Sequence, residues 1–276
     1  DKQDGQVTIT GGEVTVMPEF PEYLDSLKML RYPASQIITN GTTLSEHTVQ
    51  TYLDSGLTRL SISIDGFEAD NDAQRGRGSF AKAMRGLRTA VAHGIVVNVI
   101  SVLTRDNWKH WHQFSQVLRE EGVRTHNLSL ICRLGRAENM LDWLGLSPFQ
   151  VSELEADFVS RSLDLNADPS FAVTLNTGAL HAGVWDGLPI PVHQLQDVMA
   201  GTEAVVKLNG DVYTNRIVGR KGAIGNIRDD SLAAIWAASQ EQRRGIVASI
   251  SRDPGGSAHD YYYLGEHVGP TTNLAR

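Results

Sequence analysis

"RLSISIDGFEADNDAQRGRGSFAKAMRGLRTAVAHGIVVNVISVL", residues 59–103, decides the fold. It opens on a β-branched run, RLSISI (59–64), and closes on another, VVNVISVL (96–103). Between them lies a helical pattern over 79–93, and Gly94 stands where that helix should end. Two strands joined through a helix read as a β–α–β unit, with parallel strands and a right-handed crossover.

The unit repeats outward in both directions. VTIT (7–10), SQIIT (35–39) and HNLSLIC (126–132) are further strand patterns, and 22–31, 44–55, 107–121 and 149–163 are helical ones. Helix starts carry caps, Thr43 or Ser45 before His47 and Asp106-Asn107 before Trp108, while Gly56 and Gly122 end the helices before them. The expected class is therefore α/β with a parallel sheet, doubly wound or barrel-like. Strands of such a sheet rarely lie bare, yet no helix pattern precedes the strand at 7. The sheet is expected to continue into residues upstream of Asp1, and a first residue other than Met agrees with that.

The rhythm breaks after about 165. FAVTLNT (171–177) is a lone strand pattern, and Asn209-Gly210 inside EAVVKLNGDVYTNRIVG (203–219) is a two-residue hairpin signal. A helix opened by Asp230-Ser231 is expected around 230–239, and the tail from 252 reads as irregular. The expected organisation is a core over 1–165 and a small α+β extension over 166–276.

Composition excludes several partner classes. With 276 residues, 41% apolar and 21% charged, the chain has material for a sizeable core. A net charge of −7 with interspersed signs gives neither a basic nucleic-acid footprint nor a polybasic membrane patch. No apolar stretch approaches the roughly 20 residues of a membrane span, and no signal peptide opens the chain, so a cytoplasmic protein is expected. A single cysteine, Cys132, rules out disulfides and Cys-only metal sites within these residues. Its apolar run, LSLIC, marks it as a buried thiol.

Ligands of parallel sheets bind where the carboxyl ends of the strands gather. Those ends read Thr10-Gly11-Gly12-Glu13, Thr39-Asn40-Gly41-Thr42, Ser63-Ile64-Asp65-Gly66, Thr104-Arg105-Asp106-Asn107 and Cys132-Arg133-Leu134-Gly135-Arg136-Ala137. Glu13 and Asp65 can accept from a ligand ammonium, and Arg75 can clamp a carboxylate in its fork. Thr39, Asn40 and Ser63 suit a ribose or an amino-acid head, so the set points to a zwitterion carrying a nucleoside. The glycine-rich turns lack the GKS/T of a phosphate loop. Plainer readings compete: Gly11-Gly12-Glu13 as a tight turn, Asp65 as a cap, Arg136 as an ion-pair partner. His110 and His112, two apart on a helix, point in different directions and read as surface residues. His181, His193 and His259 have no ligand-spaced partners.

The order of these strings resembles the radical S-adenosylmethionine (SAM) superfamily, in the branch with a C-terminal SPASM or twitch extension. TGGE (10–13), TNGT (39–42), SISIDG (61–66) with Asp72 and RGRGSF (75–80), and LGRA (134–137) look like its successive strand-end motifs. LNGDVYTN (208–215) and IGNIRDDSLAAIW (224–236) are similar to the hairpin and helix of the extension. The resemblance implies a partial (β/α)6 barrel lacking its first strand. It implies that Gly11, Gly12 and Glu13 hold the methionyl amine of SAM and that Ser63 and Arg75 hold its carboxylate. Thr39, Asn40, Asp65, Gly135 and Arg136 would line the rest.

In that family a [4Fe–4S] cluster on CxxxCxxC, upstream of the GGE strand, reduces SAM to a 5′-deoxyadenosyl radical that abstracts hydrogen from a substrate. Iron–sulfur clusters need thiolates, and this chain has no such set, so the motif is expected in an upstream segment. Thr214-Asn215 stand where the extension's cysteine would be, and SRDPGGSAHD (251–260) has no thiol, so an extension without auxiliary clusters is expected. Implied partners are a ribosomally made peptide or protein side chain as substrate and a ferredoxin or flavodoxin as electron donor. A small molecule such as a sugar is the second substrate class. A catalytically inactive relative that binds a peptide or partner protein is the competing reading.

Overall fold

The computed structural model describes residues 6–30, 34–131, 141–176, 204–207, 209–213 and 223–243. Two compact units divide the chain, residues 1–175 and 176–276. The first is built on a six-stranded sheet in the order β1-β2-β3-β4-β5-β6. Its strands are β1 (Gln6–Ile9), β2 (Ala34–Thr39), β3 (Arg59–Ser63), β4 (Val96–Leu103), β5 (Thr125–Leu130) and β6 (Ala172–Asn176). β1 through β5 pair in parallel, with Thr39 opposite Ile62 and Ser63 opposite Ile100. The parallel α/β class expected from the repeat is the one observed. The lone strand pattern near 171 is the last strand of this sheet: Ala172 N–H donates to the Arg124 carbonyl, and the Thr174 hydroxyl donates to Asn127.

Helices α1 (Phe20–Leu30), α2 (Glu46–Asp54), α4 (Ser79–Ala92), α5 (Trp111–Glu120) and α7 (Pro148–Asn166) follow the expected pattern, with α6 (Leu141–Leu144) a single turn. Ser45, not Thr43, caps α2 in a reciprocal box with Thr48. Helix α3 (Glu68–Arg75) was not foreseen. It has no apolar stripe, since Asn71 is its one buried residue, so hydrophobic periodicity could not announce it. Glu68 and Asp70 in its first turn and Arg75 in its last suit the helix dipole.

Alternation sorts the sheet into two unlike faces. Ile37, Leu60, Ile62, Val97, Val99, Leu103, Leu128 and Val173 are buried on the face that the helices cover. Helix α4 packs on β3 and β4 and lies close to the loop after β2: a Cβ placed at Gly86 would strike the Gly41 carbonyl and come within 2.9 Å of Leu44. Gly86 is therefore glycine because backbone approaches backbone there. Helix α5 is tied to β5 by the Ser115 hydroxyl, 2.7 Å from Nδ1 of His126. The opposite face carries Gln36, Ser63, Asn98 and Asn127, all half-buried. The same face also carries half-buried Ile38, Ile100 and Val102, so it mixes polar and apolar residues.

The described part of the second unit is an antiparallel sheet of β7 (Val205–Val206), β8 (Asp211–Tyr213) and β9 (Gly225–Asn226), with α8 (Leu232–Ala238). A hairpin forms at Asn209-Gly210, but not with the two as its central pair: Gly210, at φ 88°, donates its N–H to the Lys207 carbonyl at 2.8 Å and so ends the turn. Ser231 caps α8 by accepting from Ala234 N–H, and Ile235 packs over Gly225. Among the described residues no helix is long and apolar enough to cross a membrane.

Candidate functional site

Glu13 is the first residue after the Gly11-Gly12 turn, and its side chain reaches the next strand's tip. Oε1 accepts from the Thr39 hydroxyl at 2.7 Å, the Thr15 hydroxyl at 2.6 Å and Thr15 N–H at 3.2 Å. Oε2 accepts from Asn40 N–H at 2.6 Å. Carboxylate oxygens offer about four acceptor directions between them. Oε1 is crowded, whereas Oε2 keeps room for a further donor. Gly12, by contrast, faces open space, with nothing within 4 Å of where its Cβ would lie. Packing among the described residues does not explain that glycine.

The TNGT tip is braced for this role. Thr39 is buried, donates to Glu13 and accepts from Gly41 N–H at 3.1 Å, so its hydroxyl holds the loop and is not left over for a ribose. Asn40 Oδ1 accepts from Thr42 N–H and the Thr42 hydroxyl, leaving its Nδ2 uncommitted among the described residues. Beneath the tip, burial first and the Glu13 carboxylate second push the Tyr52 phenol up to about 12.

Asp65 and Arg75 do not stand apart as two ligand-binding charges; they bind each other. Arg75 Nε donates to Oδ2 at 2.6 Å and Nη2 to Oδ1 at 3.1 Å, and Val102 N–H also donates to Oδ1 at 2.9 Å. Asp65 is 3% exposed and Arg75 29%. The carboxylate is thus spent on orienting the guanidinium, which has three of its five N–H groups left for an anion. The ammonium-accepting role expected of Asp65 does not fit this pairing. Ser63, half-buried at the end of β3, has no hydrogen-bond partner for its hydroxyl among the described residues.

Two residues that the sequence reading undervalued organise this tip. Asn107, expected to cap the helix after it, makes no side-chain cap. Its Oδ1 accepts from Thr104 N–H, and its Nδ2 donates to the carbonyls of Asp65 at 2.7 Å and Val102 at 2.9 Å. Asn71, fully buried, accepts from Asp65 N–H and donates to the Ser79 hydroxyl. Asp72 then ties the start of α4, its carboxyl held below the usual range by the N–H groups of Phe80 and Gly78. A polar residue in a helix without an apolar stripe was the available signal for Asn71.

Gly135, Arg136 and Cys132 lie outside the described residues. His110 pairs with Asp70 at 2.9 Å, and His112 Nδ1 is buried without a partner, its pKa lowered chiefly by burial. Among the described residues no group of three or more His, Cys, Asp or Glu could hold a metal ion.

Residues 1–118 match the family model described as Radical SAM superfamily. The chain is 33% identical over 144 residues to the mycofactocin maturase MftC of Mycobacterium ulcerans, covering 51% of this chain and 38% of that protein. It is 30% identical over 139 residues to the antilisterial bacteriocin subtilosin biosynthesis protein AlbA of Bacillus subtilis, covering 48% and 30%. The chain therefore spans only 38% and 30% of the length of these curated relatives. Among solved structures, Streptococcus suis SuiB bound to S-adenosylmethionine shares the fold with a TM-score of 0.64 at 14% identity, covering 85% of this chain and 55% of that one. A second, anSMEcpe with bound AdoMet and a Cp18Cys peptide, has a TM-score of 0.63 at 17% identity, covering 86% and 68%. Residues 1–118 thus match the radical SAM superfamily model, and the parallel α/β sheet that bears their loop tips has the fold of these solved structures.

Proposed function

We propose that the strand tips bind S-adenosylmethionine and that the protein uses it for radical modification of a peptide. The observation that carries the reading is the Glu13 carboxylate, fixed by Thr39 and Asn40 beside the open space over Gly12, with Oε2 still able to accept. The methionyl ammonium would lie against Glu13 and the Gly11-Gly12 backbone. Its carboxylate would lie against the free edge of Arg75 and the Ser63 hydroxyl, and Asn40 Nδ2 is available to the nucleoside. Gly135 and Arg136 are assigned to the same ligand on motif order alone. When bound beside a reduced iron–sulfur cluster, SAM supplies a hydrogen-abstracting radical. The cluster itself does not fit these residues, because 276 residues hold one cysteine and no thiolate set is formed from them.

A peptide substrate is favoured because MftC, AlbA and SuiB are named as a maturase, a bacteriocin biosynthesis protein and a protein solved with a precursor peptide. An electron donor such as ferredoxin or flavodoxin belongs to the same reading. The boundary expected at 165/166 moves past β6, and the second unit, residues 176–276, is proposed as a SPASM-like extension without auxiliary clusters. The low cysteine count also favours a second reading, a SAM- and peptide-binding protein that performs no radical step.

Calorimetric titration of the full-length protein with SAM tests the site. Binding is expected, and silence would overturn the reading. Anaerobic iron–sulfide reconstitution followed by chromatography separates the two versions. Release of 5′-deoxyadenosine supports the enzyme, and SAM binding without release supports the non-catalytic protein.

A further inference from the structure

The hydrogen-bond ladder between β3 and β4 breaks one residue before Asp65. Ile64 N–H donates to the Ile100 carbonyl at 3.1 Å, as parallel pairing requires. The next rung would bring Val102 N–H back to the Ile64 carbonyl. Val102 N–H instead donates at 2.9 Å to Oδ1 of Asp65, the carboxylate that orients Arg75. Among the described residues no backbone N–H reaches the Ile64 carbonyl. A buried carbonyl left unmet costs free energy, so its partner matters.

Ser101 meets that carbonyl. It occupies an inward position of β4 whose neighbours in the row are Val97, Val99 and Leu103, so packing alone would favour an apolar residue there. Its hydroxyl donates to the Ile64 carbonyl. The same oxygen lies 2.8 Å from Nε2 of His126, whose Nδ1 lies 2.7 Å from the Ser115 hydroxyl. Burial keeps the His126 ring neutral, with one N–H and one bare nitrogen.

Which nitrogen carries the proton decides what Ser101 can do. With the proton on Nδ1, bare Nε2 would take the Ser101 hydrogen and leave the Ile64 carbonyl without a donor. With the proton on Nε2, the ring donates to Ser101, whose own hydrogen is kept for Ile64. Ser115 then donates to Nδ1. The Trp111 carbonyl, 2.7 Å from the Ser115 hydroxyl, keeps its helical N–H partner four residues on. This second arrangement satisfies every buried group in the chain of contacts.

We propose that Ser101 and His126, the latter as its Nε2–H tautomer, are positioning residues for Arg75: by meeting the Ile64 carbonyl they free Val102 N–H for Asp65, which aims the guanidinium at a ligand carboxylate. Both act through Asp65, from the helix-covered face of the sheet. The consequence for the ligand rests on the SAM reading above, whereas the hydrogen-bond chain stands without it.

The test begins with ¹⁵N NMR of the His126 ring in the full-length protein at neutral pH. A proton on Nε2 alone is expected; a proton on Nδ1 alone, or on both nitrogens, would overturn the proposal. Calorimetry then compares SAM with its decarboxylated analogue, which offers Arg75 nothing to clamp. Ser101→Ala should weaken SAM binding about tenfold and change binding of the analogue by less than about twofold. Ser101→Thr keeps the hydroxyl and should retain SAM binding. Equal losses for both ligands would mark a merely structural role and overturn the proposal, as would unchanged SAM binding in Ser101→Ala. Binding of SAM by the unmutated protein is measured first. Its failure counts against the cofactor site, while the ring tautomer still decides the hydrogen-bond chain, even where a variant does not fold.

Discussion

Glu13 shows how one side chain can serve structure and ligand together. Oε1 takes three donors from its own turn and from Thr39, which fixes the carboxylate; Oε2 takes one. Glu13→Gln keeps the size but removes the charge that an ammonium needs. A charge-assisted hydrogen bond contributes about 1.5–3 kcal/mol, so SAM affinity should fall roughly tenfold to a hundredfold, read by calorimetry. Arg75 acts through its fork. Arg75→Lys keeps the charge but offers one point contact to an Asp65 that is 3% exposed. A stability loss of about 1–2 kcal/mol is expected by urea unfolding, together with weaker SAM binding. An unchanged urea midpoint would show that the ion pair does not hold this tip. At this scale the residue types of the site were legible in the strand-end strings. Their pairings were not, because Asp65 meets Arg75 ten residues on and Val102 thirty-seven on, and no local spacing encodes that.

Among the elements, α4 decides where the TNGT tip lies. Alanine in place of glycine normally favours a helix by about 1 kcal/mol. At Gly86 the added methyl would meet the Gly41 carbonyl and Leu44, and overpacking costs roughly 1–3 kcal/mol. The clash is with backbone and cannot be relieved by a rotamer, so Gly86→Ala should destabilise the protein and, by displacing the 39–42 loop, weaken SAM binding as well. Thermal unfolding and calorimetry on the same variant check both halves. Strand and helix patterns located β1 through β5 and the helices α1, α2, α4 and α8 within two residues at each end. Helix α3 escaped because its one buried residue is polar; β6 was located as a strand, but not as part of this sheet, because its partner strand lies some forty-five residues earlier in the chain.

For the whole molecule, pH exposes a buried histidine. His126 lies fully buried between the hydroxyls of Ser101 at 2.8 Å and Ser115 at 2.7 Å, against Phe114, and burial lowers its pKa to about 3. The unfolded chain protonates near the ordinary 6.5, so between 6.5 and about 3 the unfolded state binds the extra proton. Stability from neutral His126 is therefore present above pH 6.5 and is lost as pH falls, by up to roughly 1.4 kcal/mol per unit once well below 6.5. Asp72, Glu121 and Asp168 also have lowered pKa values, so their contributions are present above the carboxylate range and vanish only below about pH 4. Urea midpoints taken from pH 7.5 to 4.5 should fall steadily. The fall should flatten in His126→Gln, and an equal slope in both proteins would assign the acid sensitivity elsewhere.

Composition and periodicity by themselves determined the parallel α/β class, the chain order of the strand tips and the residue types gathered at them. Those features follow from local rules: alternation makes strands, apolar spacing makes helices, and parallel pairing brings the carboxyl ends of the strands to one edge. Only the folded chain decided that Asp65 is spent on Arg75, that Asn107 turns back to the Asp65 carbonyl, and that His126 lies between two serine hydroxyls. The physical reason is the same in each case. Which donor meets which acceptor, and which side of a strand a helix covers, depend on contacts between residues far apart in the chain, and those exist only once it has closed on itself.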